Sequence, residues 1–144
     1  MRLQGKVAMV TGGASGIGEA TARRFAAEAY DVCVTARREQ RLAELVAGFP
    51  EGDHLVVAGD YSDPRTAERI VRTVCDRWGR VDALVNCAGI SVGGDPVELP
   101  LGEWREPFET MFGGAVLLSR AAVYVLEALD AEAHAGVRQV DAPQ

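Results

Sequence analysis

A glycine-rich segment near the start of the chain limits what this sequence can fold into more than any other feature. It reads Thr11-Gly12-Gly13-Ala14-Ser15-Gly16-Ile17-Gly18. An apolar run at 6–10, typical of a buried strand, precedes it, and helical spacing of apolar residues over 16–28 follows. In such a turn one glycine permits a tight bend, a second lets the backbone approach a pyrophosphate, and a third lets helix and strand pack closely. The segment therefore predicts a phosphate-binding loop at a helix N-terminus, with an ordinary glycine turn as the alternative.

Strands and helices are predicted to alternate along the sequence after this loop. The helix over 64–78 has a capping residue before Pro64 at its start and Gly79 at its end. Alternation of this kind means parallel strands joined by right-handed crossovers, and so a doubly wound α/β sheet. The further predicted elements are strands at 31–35, 54–58 and 81–85 and helices at 39–47 and about 102–130.

The periodic pattern weakens after residue 130. We therefore predict one domain over 1–130 and a weakly structured tail over 131–144, in which 136–140 forms at most one poor strand. A total length of 144 residues and a hydrophobic fraction of 48% suit a single packed domain and argue against disorder.

Charge and composition argue against several classes of partner. The formal net charge of −6 disfavours nucleic acid, and Arg37 and Arg38 form a basic pair rather than a stripe. No secretory signal is evident at the N-terminus, so the cytoplasm is the expected location. The longest apolar stretch, 115–129, contains Arg120 and Glu127 and is expected to be too short for a membrane partner.

The cysteines and histidines do not predict a metal site. Cys33, Cys75 and Cys87 lie in predicted strands or a helix and are expected to be small buried side chains in a reduced compartment. The two histidines, His54 and His134, have no close cysteine or histidine neighbours at metal-ligand spacing.

The glycine segment has the spacing T-G-x-x-x-G-x-G, and other motifs accompany it at matching places. Asp60 follows the third predicted strand, and Asn86-Cys87-Ala88-Gly89 follows the fourth. Glu103-Trp104 and Phe108-Glu109 stand at the start of the next long helix. Together these motifs resemble those of the short-chain dehydrogenase/reductase family over residues 1 to about 126. The resemblance implies a Rossmann-type doubly wound parallel sheet, truncated at its C-terminal side, in an NAD(P)-binding domain.

The family resemblance also implies an activity and a set of cofactor contacts. Members transfer a hydride between a nicotinamide and a carbonyl or alcohol carbon. Asp60 matches the acidic residue that contacts the adenine ring, and the Asn86–Gly89 segment matches the N-A-G motif that braces the sheet beside the cofactor. The cofactor-binding residues expected on this basis are Gly12, Ser15, Gly16, Ile17, Gly18, Arg37, Asp60, Tyr61, Asn86, Ala88 and Gly89.

The end of the second strand predicts which dinucleotide is preferred. An acidic residue there would bind the ribose hydroxyls of NAD, whereas an arginine accommodates a 2′-phosphate. Ala36 stands where NAD-type members carry the acid, and Arg37 offers a fork of donors to a phosphate. We therefore expect NADP(H) to be preferred over NAD(H). Ser15 argues against this preference, because many NADP-preferring members of the family have a second cationic side chain in the glycine loop. The alternative to phosphate binding for Arg38 and Arg41 is a place on a solvated helix face, where they would pair with Glu44.

The catalytic groups of the family are not found in this sequence. The family's proton donor is the tyrosine of a Y-x-x-x-K motif. The only lysine of this sequence is Lys6, which no tyrosine precedes by four residues, so the motif is absent. Four residues after Tyr124 stands Ala128, and Ser119 precedes the place of the family's serine strand. Met111 stands where the family usually has the asparagine of its proton relay. We therefore assign no catalytic residue.

Three functions remain open from the sequence: an oxidoreductase whose chemistry belongs to a full-length form, a dinucleotide-binding module without turnover, and a remnant that folds poorly. The helix over 103–130 is apolar nearly all round and is expected to be buried. Because the family packs this helix against a partner subunit, a homo-oligomer through it is also expected.

Overall fold

Four parallel strands and five α-helices make up the computed structural model, which describes residues 4–95 and 97–140, the last nine by their backbone alone. The strands are β1 Val7–Thr11, β2 Asp31–Thr35, β3 Leu55–Val56 and β4 Ala83–Asn86. The helices are α1 Gly16–Ala27, α2 Glu39–Ala47, α3 Pro64–Trp78, α4 Leu101–Phe108 and α5 Gly114–Val140, with a π-helical segment at Glu109–Gly113. The sheet order is β3-β2-β1-β4, which confirms the predicted doubly wound parallel fold.

The sheet separates two apolar clusters because neighbouring residues of a strand point to opposite faces. Val7 and Met9 of β1 pack with Cys33 and with the buried faces of α3 and α5. On the other face, Val10 packs with β2 residues and with α1 and α2. All five residues of β1 are buried, because strands lie on both sides of it and helices cover both faces. The result is a three-layer α/β/α arrangement.

The ends of α3 agree with the sequence signals. Asp63 caps the helix, with its Oδ2 accepting a hydrogen bond from the Thr66 N–H at 2.8 Å, and Pro64 occupies the first turn. At the other end Gly79 adopts a left-handed conformation with φ 67°, and its N–H donates to the Cys75 carbonyl at 2.7 Å. The predicted start and end of this helix are confirmed.

The only lysine of the chain lies at the amino end of the sheet. The Asp82 carboxylate accepts hydrogen bonds from Arg80, from the Val7 N–H at 2.9 Å and from Lys6 at 3.3 Å. These donors, Arg80 first among them, lower the pKa of Asp82 to about 2. The ionised carboxylate therefore ties the start of β4 to the start of β1, and Lys6 serves that junction.

The long C-terminal helix differs from the prediction in two ways. It is not one regular helix, because the π-helical segment interrupts it just after Pro107, a residue that lacks the N–H of a regular helical turn. It also continues to Val140, so 136–140 is helical where the sequence suggested at most one poor strand, while the division into a domain over 1–130 and a tail stays a prediction. Alanine, glutamate, arginine and glutamine are good helix formers and dominate this stretch. Residues 141–144 lie outside the described residues.

Burial of this helix is lower than its composition led us to expect. Only Leu118 and Ala122 are buried among its described side chains, whereas Val123 and Tyr124 are more than half exposed. The helical run Leu101–Ala131 is also long and apolar enough to cross a membrane by length and composition, so the argument that it is too short is wrong. Core helices of soluble proteins can have the same length and composition. The absence of a membrane partner stays a prediction.

Candidate functional site

A cavity of about 510 Å³ opens at the carboxyl ends of the strands, on the side where the glycine segment leaves β1. The chain passes from β1 to β2 on one side of the sheet and later crosses to β4 on the other, so strand order reverses beside β1. Ligands of open α/β sheets bind at such a switch point. The volume is also within the range of roughly 300–1,000 Å³ that is usual for small-molecule sites.

Ten of the eleven residues predicted to bind a cofactor line this one cavity, although they come from distant parts of the sequence. Asn86 is the exception, since its side-chain amide donates instead to Ser119 Oγ at 3.5 Å. Residues outside the predicted set also line it: Ala14, Ala36, Arg38, Gly59, Cys87, Ile90 and Thr110.

The glycines of the loop each meet a different steric demand. A Cβ on Gly12, whose φ is 66°, would lie 2.7 Å from the Cα of Ala88. A Cβ on Gly18 would overlap the carbonyl oxygen of Gly12. Gly16 has open space around it but a φ of 56°, which side-chain-bearing residues rarely adopt. The pattern therefore lets the loop lie directly against the segment after β4 while its backbone faces the cavity.

The first turn of α1 forms part of the cavity wall. Ser15 stands at the N-cap in an extended conformation, and its side chain makes no capping hydrogen bond. Ser15, Gly16, Ile17 and Gly18 all line the cavity. Unsatisfied N–H groups and the positive end of the helix dipole favour an anion at this position.

Thr11 organises the site, although the sequence analysis gave it no role of its own. Its side chain is fully buried, and its Oγ1 accepts hydrogen bonds from the N–H groups of Cys87 at 3.0 Å and Ala88 at 3.2 Å. One hydroxyl thus holds the segment after β4 in place beside the glycine loop. The available signal was the threonine that opens the T-G-x-x-x-G-x-G motif.

Asp60 and Tyr61, at the end of the segment after β3, have different environments. Asp60 Oδ1 accepts hydrogen bonds from Ser62 Oγ at 2.6 Å and from the Ser62 N–H at 3.0 Å. These bonds, with a smaller contribution from the Arg37 charge, lower the pKa of Asp60, so the carboxylate is ionised beside the cavity. Tyr61 is 5% exposed and belongs to the core, and burial raises the pKa of its phenol. Its ring lies where a Cβ on Gly114 would be, so it also packs under the start of α5.

Two arginines line the cavity where β2 ends. Ala36, Arg37 and Arg38 all line it, and Arg38, at the N-cap of α2, is also exposed to solvent. Arg41 lies on a solvated helix face, as the alternative had it, and forms an exposed pair with Glu44 at 3.2 Å. Within the part of the chain that the structure describes, this end of the cavity has cationic groups and the single carboxylate of Asp60.

Among residues 4–95 and 97–140, the structure brings no set of acid–base residues together around the cavity. Met111 lies against Gly89, with its Sδ 3.8 Å from the position that a Gly89 Cβ would occupy. Tyr30 packs against Phe25, and Tyr124 lies beneath the Arg120 guanidinium, 5.3 Å from the ring centroid. Among the described residues, no group of three or more histidine, cysteine or acidic side chains could hold a metal ion.

A parallel sheet with a glycine loop at its switch point and a helix N-terminus facing the cavity defines the Rossmann-type class of fold. The model of the short chain dehydrogenase family matches residues 6–137. The chain therefore belongs to the short chain dehydrogenase family, and the resemblance drawn from its motifs is confirmed.

Relatives and solved structures agree with this family. The chain is 34% identical over 123 residues to meso-2,3-butanediol dehydrogenase of Serratia marcescens, which covers 85% of this chain and 49% of the relative. L-Sorbose reductase from Gluconobacter frateurii, solved with NADPH and L-sorbose, has a TM-score of 0.79 at 35% identity. The match covers 88% of this chain and 49% of the reductase chain. A short chain dehydrogenase from Burkholderia cenocepacia in complex with NADP has a TM-score of 0.80 at 35% identity. The match covers 86% of this chain and 52% of that protein. The chain thus spans about half the length of these proteins.

Proposed function

We propose that this chain binds NADP(H) in the cavity at the carboxyl ends of its strands. The observation that carries the proposal is the convergence of the glycine loop, the uncapped start of α1, Arg37 and Asp60 on one cavity at the topological switch point. The sequence predicted the site from separate motifs, the furthest of which, Gly12 and Gly89, are 77 residues apart.

The residues present fit such a cofactor. Gly12, Gly16 and Gly18 carry no side chains where they line the cavity, so a pyrophosphate would meet bare backbone there. Ser15, Gly16, Ile17 and Gly18 would surround the phosphates, Ala88 and Gly89 would line the opposite wall, and Asp60 and Tyr61 would bound the adenine end. Asn86 would act indirectly, through the segment that it begins. When bound, the nicotinamide supplies or accepts a hydride.

The preference for NADP(H) over NAD(H) rests on Arg37, with Arg38 beside it. The L-sorbose reductase solved with NADPH and the short chain dehydrogenase solved with NADP are similar to this chain, which supports the same choice here. Arg37→Ala is expected to weaken NADPH binding about 10- to 100-fold, because a charge-assisted contact with the 2′-phosphate is lost. NADH has no such phosphate, so its binding is expected to change less than threefold. Calorimetric titration with each dinucleotide measures both.

Arg41→Ala is the matched control for that substitution, because Arg41 is an exposed arginine on α2 that pairs with Glu44. Its NADPH affinity is expected to equal that of the unaltered chain. If Arg37→Ala leaves the NADPH dissociation constant unchanged, the assignment of a 2′-phosphate contact to Arg37 is wrong.

We further infer that the residues of this chain bind the dinucleotide without turning it over. The only lysine, Lys6, is tied to Asp82 at the amino end of the sheet, the end opposite the cavity. The whole-family reaction, hydride transfer between nicotinamide and a carbonyl or alcohol, would need groups that these residues do not supply.

An absorbance assay tests that inference directly. With NADPH and L-sorbose, or with NADP and meso-2,3-butanediol, the change in absorbance at the nicotinamide band is expected to equal that of a protein-free blank. A rate above the blank that disappears in Gly16→Asp would show that the chain is an active oxidoreductase and would refute the inference.

Four further expectations stay predictions: a cytoplasmic location, no nucleic-acid partner, no membrane partner, and a homo-oligomer through the helix over 103–130. The exposure of Val123 and Tyr124 on α5 supports the last of these, since apolar side chains on one helix face favour association.

A further inference from the structure

The π-helical segment between α4 and α5 contributes one residue, Thr110, to the wall of the cavity. In this segment the Gly114 N–H donates to the carbonyl of Glu109, which is five residues back instead of four. The wider turn changes which side chains of the helix point inward, and π-helical turns inside α-helices are frequent at functional sites. The turn beside the cavity therefore indicates a function for the side chain that it presents there.

Thr110 is less exposed than the residues on either side of it in this segment. Glu109, Met111 and Phe112 are exposed, whereas Thr110 is half-buried and lines the cavity. Thr110 is thus the polar side chain through which the π-helical segment contacts a molecule in the cavity.

The hydroxyl group of Thr110 has no hydrogen-bond partner among residues 4–95 and 97–140. A threonine on a regular helix commonly donates to the carbonyl one turn earlier, as Thr73 of α3 does to the Arg69 carbonyl at 2.8 Å. The Glu106 carbonyl, four residues before Thr110, accepts instead from the Glu109 N–H. The donor and the acceptor of the Thr110 hydroxyl are therefore both open to a ligand.

Contacts of the same segment place Thr110 at the end of the cavity that Asp60 and Tyr61 form. Tyr61 packs under Gly114, one turn after Thr110, because its ring occupies the place of a Gly114 Cβ. Asp60 directly precedes Tyr61 and lines the cavity together with Thr110. An ionised carboxylate only accepts hydrogen bonds, whereas a hydroxyl both donates and accepts them. The two side chains therefore complement a group such as adenine, which has an amino donor and ring-nitrogen acceptors.

We propose that the Thr110 hydroxyl hydrogen-bonds the adenine end of the dinucleotide and adds to the affinity of this chain for NADP(H). This rests on the proposed function, since it requires the cofactor to occupy the cavity. Thr110 is a binding residue, and the π-helical segment is what positions it, because that segment both turns the side chain inward and leaves its hydroxyl unpaired.

Calorimetric titration of Thr110→Val with NADPH and with 2′,5′-ADP, the adenosine half of NADP(H), tests the proposal. Valine keeps the shape of threonine without its hydroxyl, so the affinity for both ligands is expected to fall about 3- to 10-fold, the loss of one hydrogen bond. Thr110→Ala removes the same hydroxyl with a better helix former and is expected to give the same loss. Thr110→Ser retains the hydroxyl and is expected to bind both ligands within about twofold of the unaltered chain.

Thr73→Val is the matched control, because Thr73 lies on a helix but does not line the cavity. It is expected to bind both ligands as the unaltered chain does. Unchanged 2′,5′-ADP binding in Thr110→Val and Thr110→Ala would overturn the proposal, and so would a loss in Thr110→Ser as large as that in Thr110→Val. Either result leaves the proposed function standing, because the unaltered chain still binds NADPH. No saturable binding of NADPH by the unaltered chain would overturn both.

Discussion

Replacing Gly16 by aspartate is expected to weaken NADPH binding at least about 100-fold, or by about 2.8 kcal/mol. Gly16 has a φ of 56° and lines the cavity at the first turn of α1. An aspartate there would place a carboxylate where the helix N-terminus faces the phosphates, so that like charges repel and the positive end of the helix is neutralised. Calorimetric titration of the variant with NADPH measures the loss.

Gly79→Asp is the matched control. Gly79 has nearly the same backbone conformation, with φ 67° and no atom within 4 Å of a Cβ, but it ends α3 and does not line the cavity. It carries the same backbone strain, about 1–2 kcal/mol of folding stability, and is expected to bind NADPH as the unaltered chain does. An affinity of folded Gly16→Asp within threefold of the unaltered chain would mean that the glycine loop is not the phosphate site.

The second large effect concerns folding stability. Thr11→Val is expected to lower the free energy of unfolding by about 2–4 kcal/mol, because the N–H groups of Cys87 and Ala88 both lose their acceptor. Valine has nearly the shape of threonine, so packing in β1 is kept while the hydroxyl is removed. Urea unfolding followed by circular dichroism measures the change, and Thr11→Ser should retain most of the stability.

Thr35 provides an internal control for this prediction. It lies opposite Thr11 in the register of β1 and β2 and is equally buried, but its Oγ1 has no hydrogen-bond partner among the described residues. Thr35→Val is therefore expected to be neutral or stabilising, since it removes an unsatisfied buried hydroxyl. Equal losses at the two positions would show that the hydrogen bonds from Thr11 do not hold the segment after β4.

Local signals in the sequence were sufficient for much of the fold. The bounds of α2 and both ends of α3 follow from short-range features: an apolar stripe, an aspartate cap, a proline in the first turn and a terminal glycine. Most of the candidate site was also predictable, because parallel strands bring their carboxyl ends to one edge and each motif follows a strand.

The features that were missed depend on distant contacts. The acceptor role of Thr11 involves backbone groups 76 and 77 residues away, which no local pattern encodes. Arg38 lines the cavity because β2 lies beside the glycine loop, a placement that its local sequence does not encode. Strand β3 is shorter than the five residues predicted for it at 54–58, since hydrogen bonding to β2 decides its length.

The central claim is that this chain holds NADP(H) in the cavity between its glycine loop and the segment after β4. Calorimetric titration of the purified, folded chain with NADPH tests it most directly. The account predicts saturable binding of one NADPH per chain, lost in Gly16→Asp and retained in Gly79→Asp. No saturable heat up to about 1 mM NADPH, a limit equivalent to roughly −4 kcal/mol of binding free energy, would contradict it.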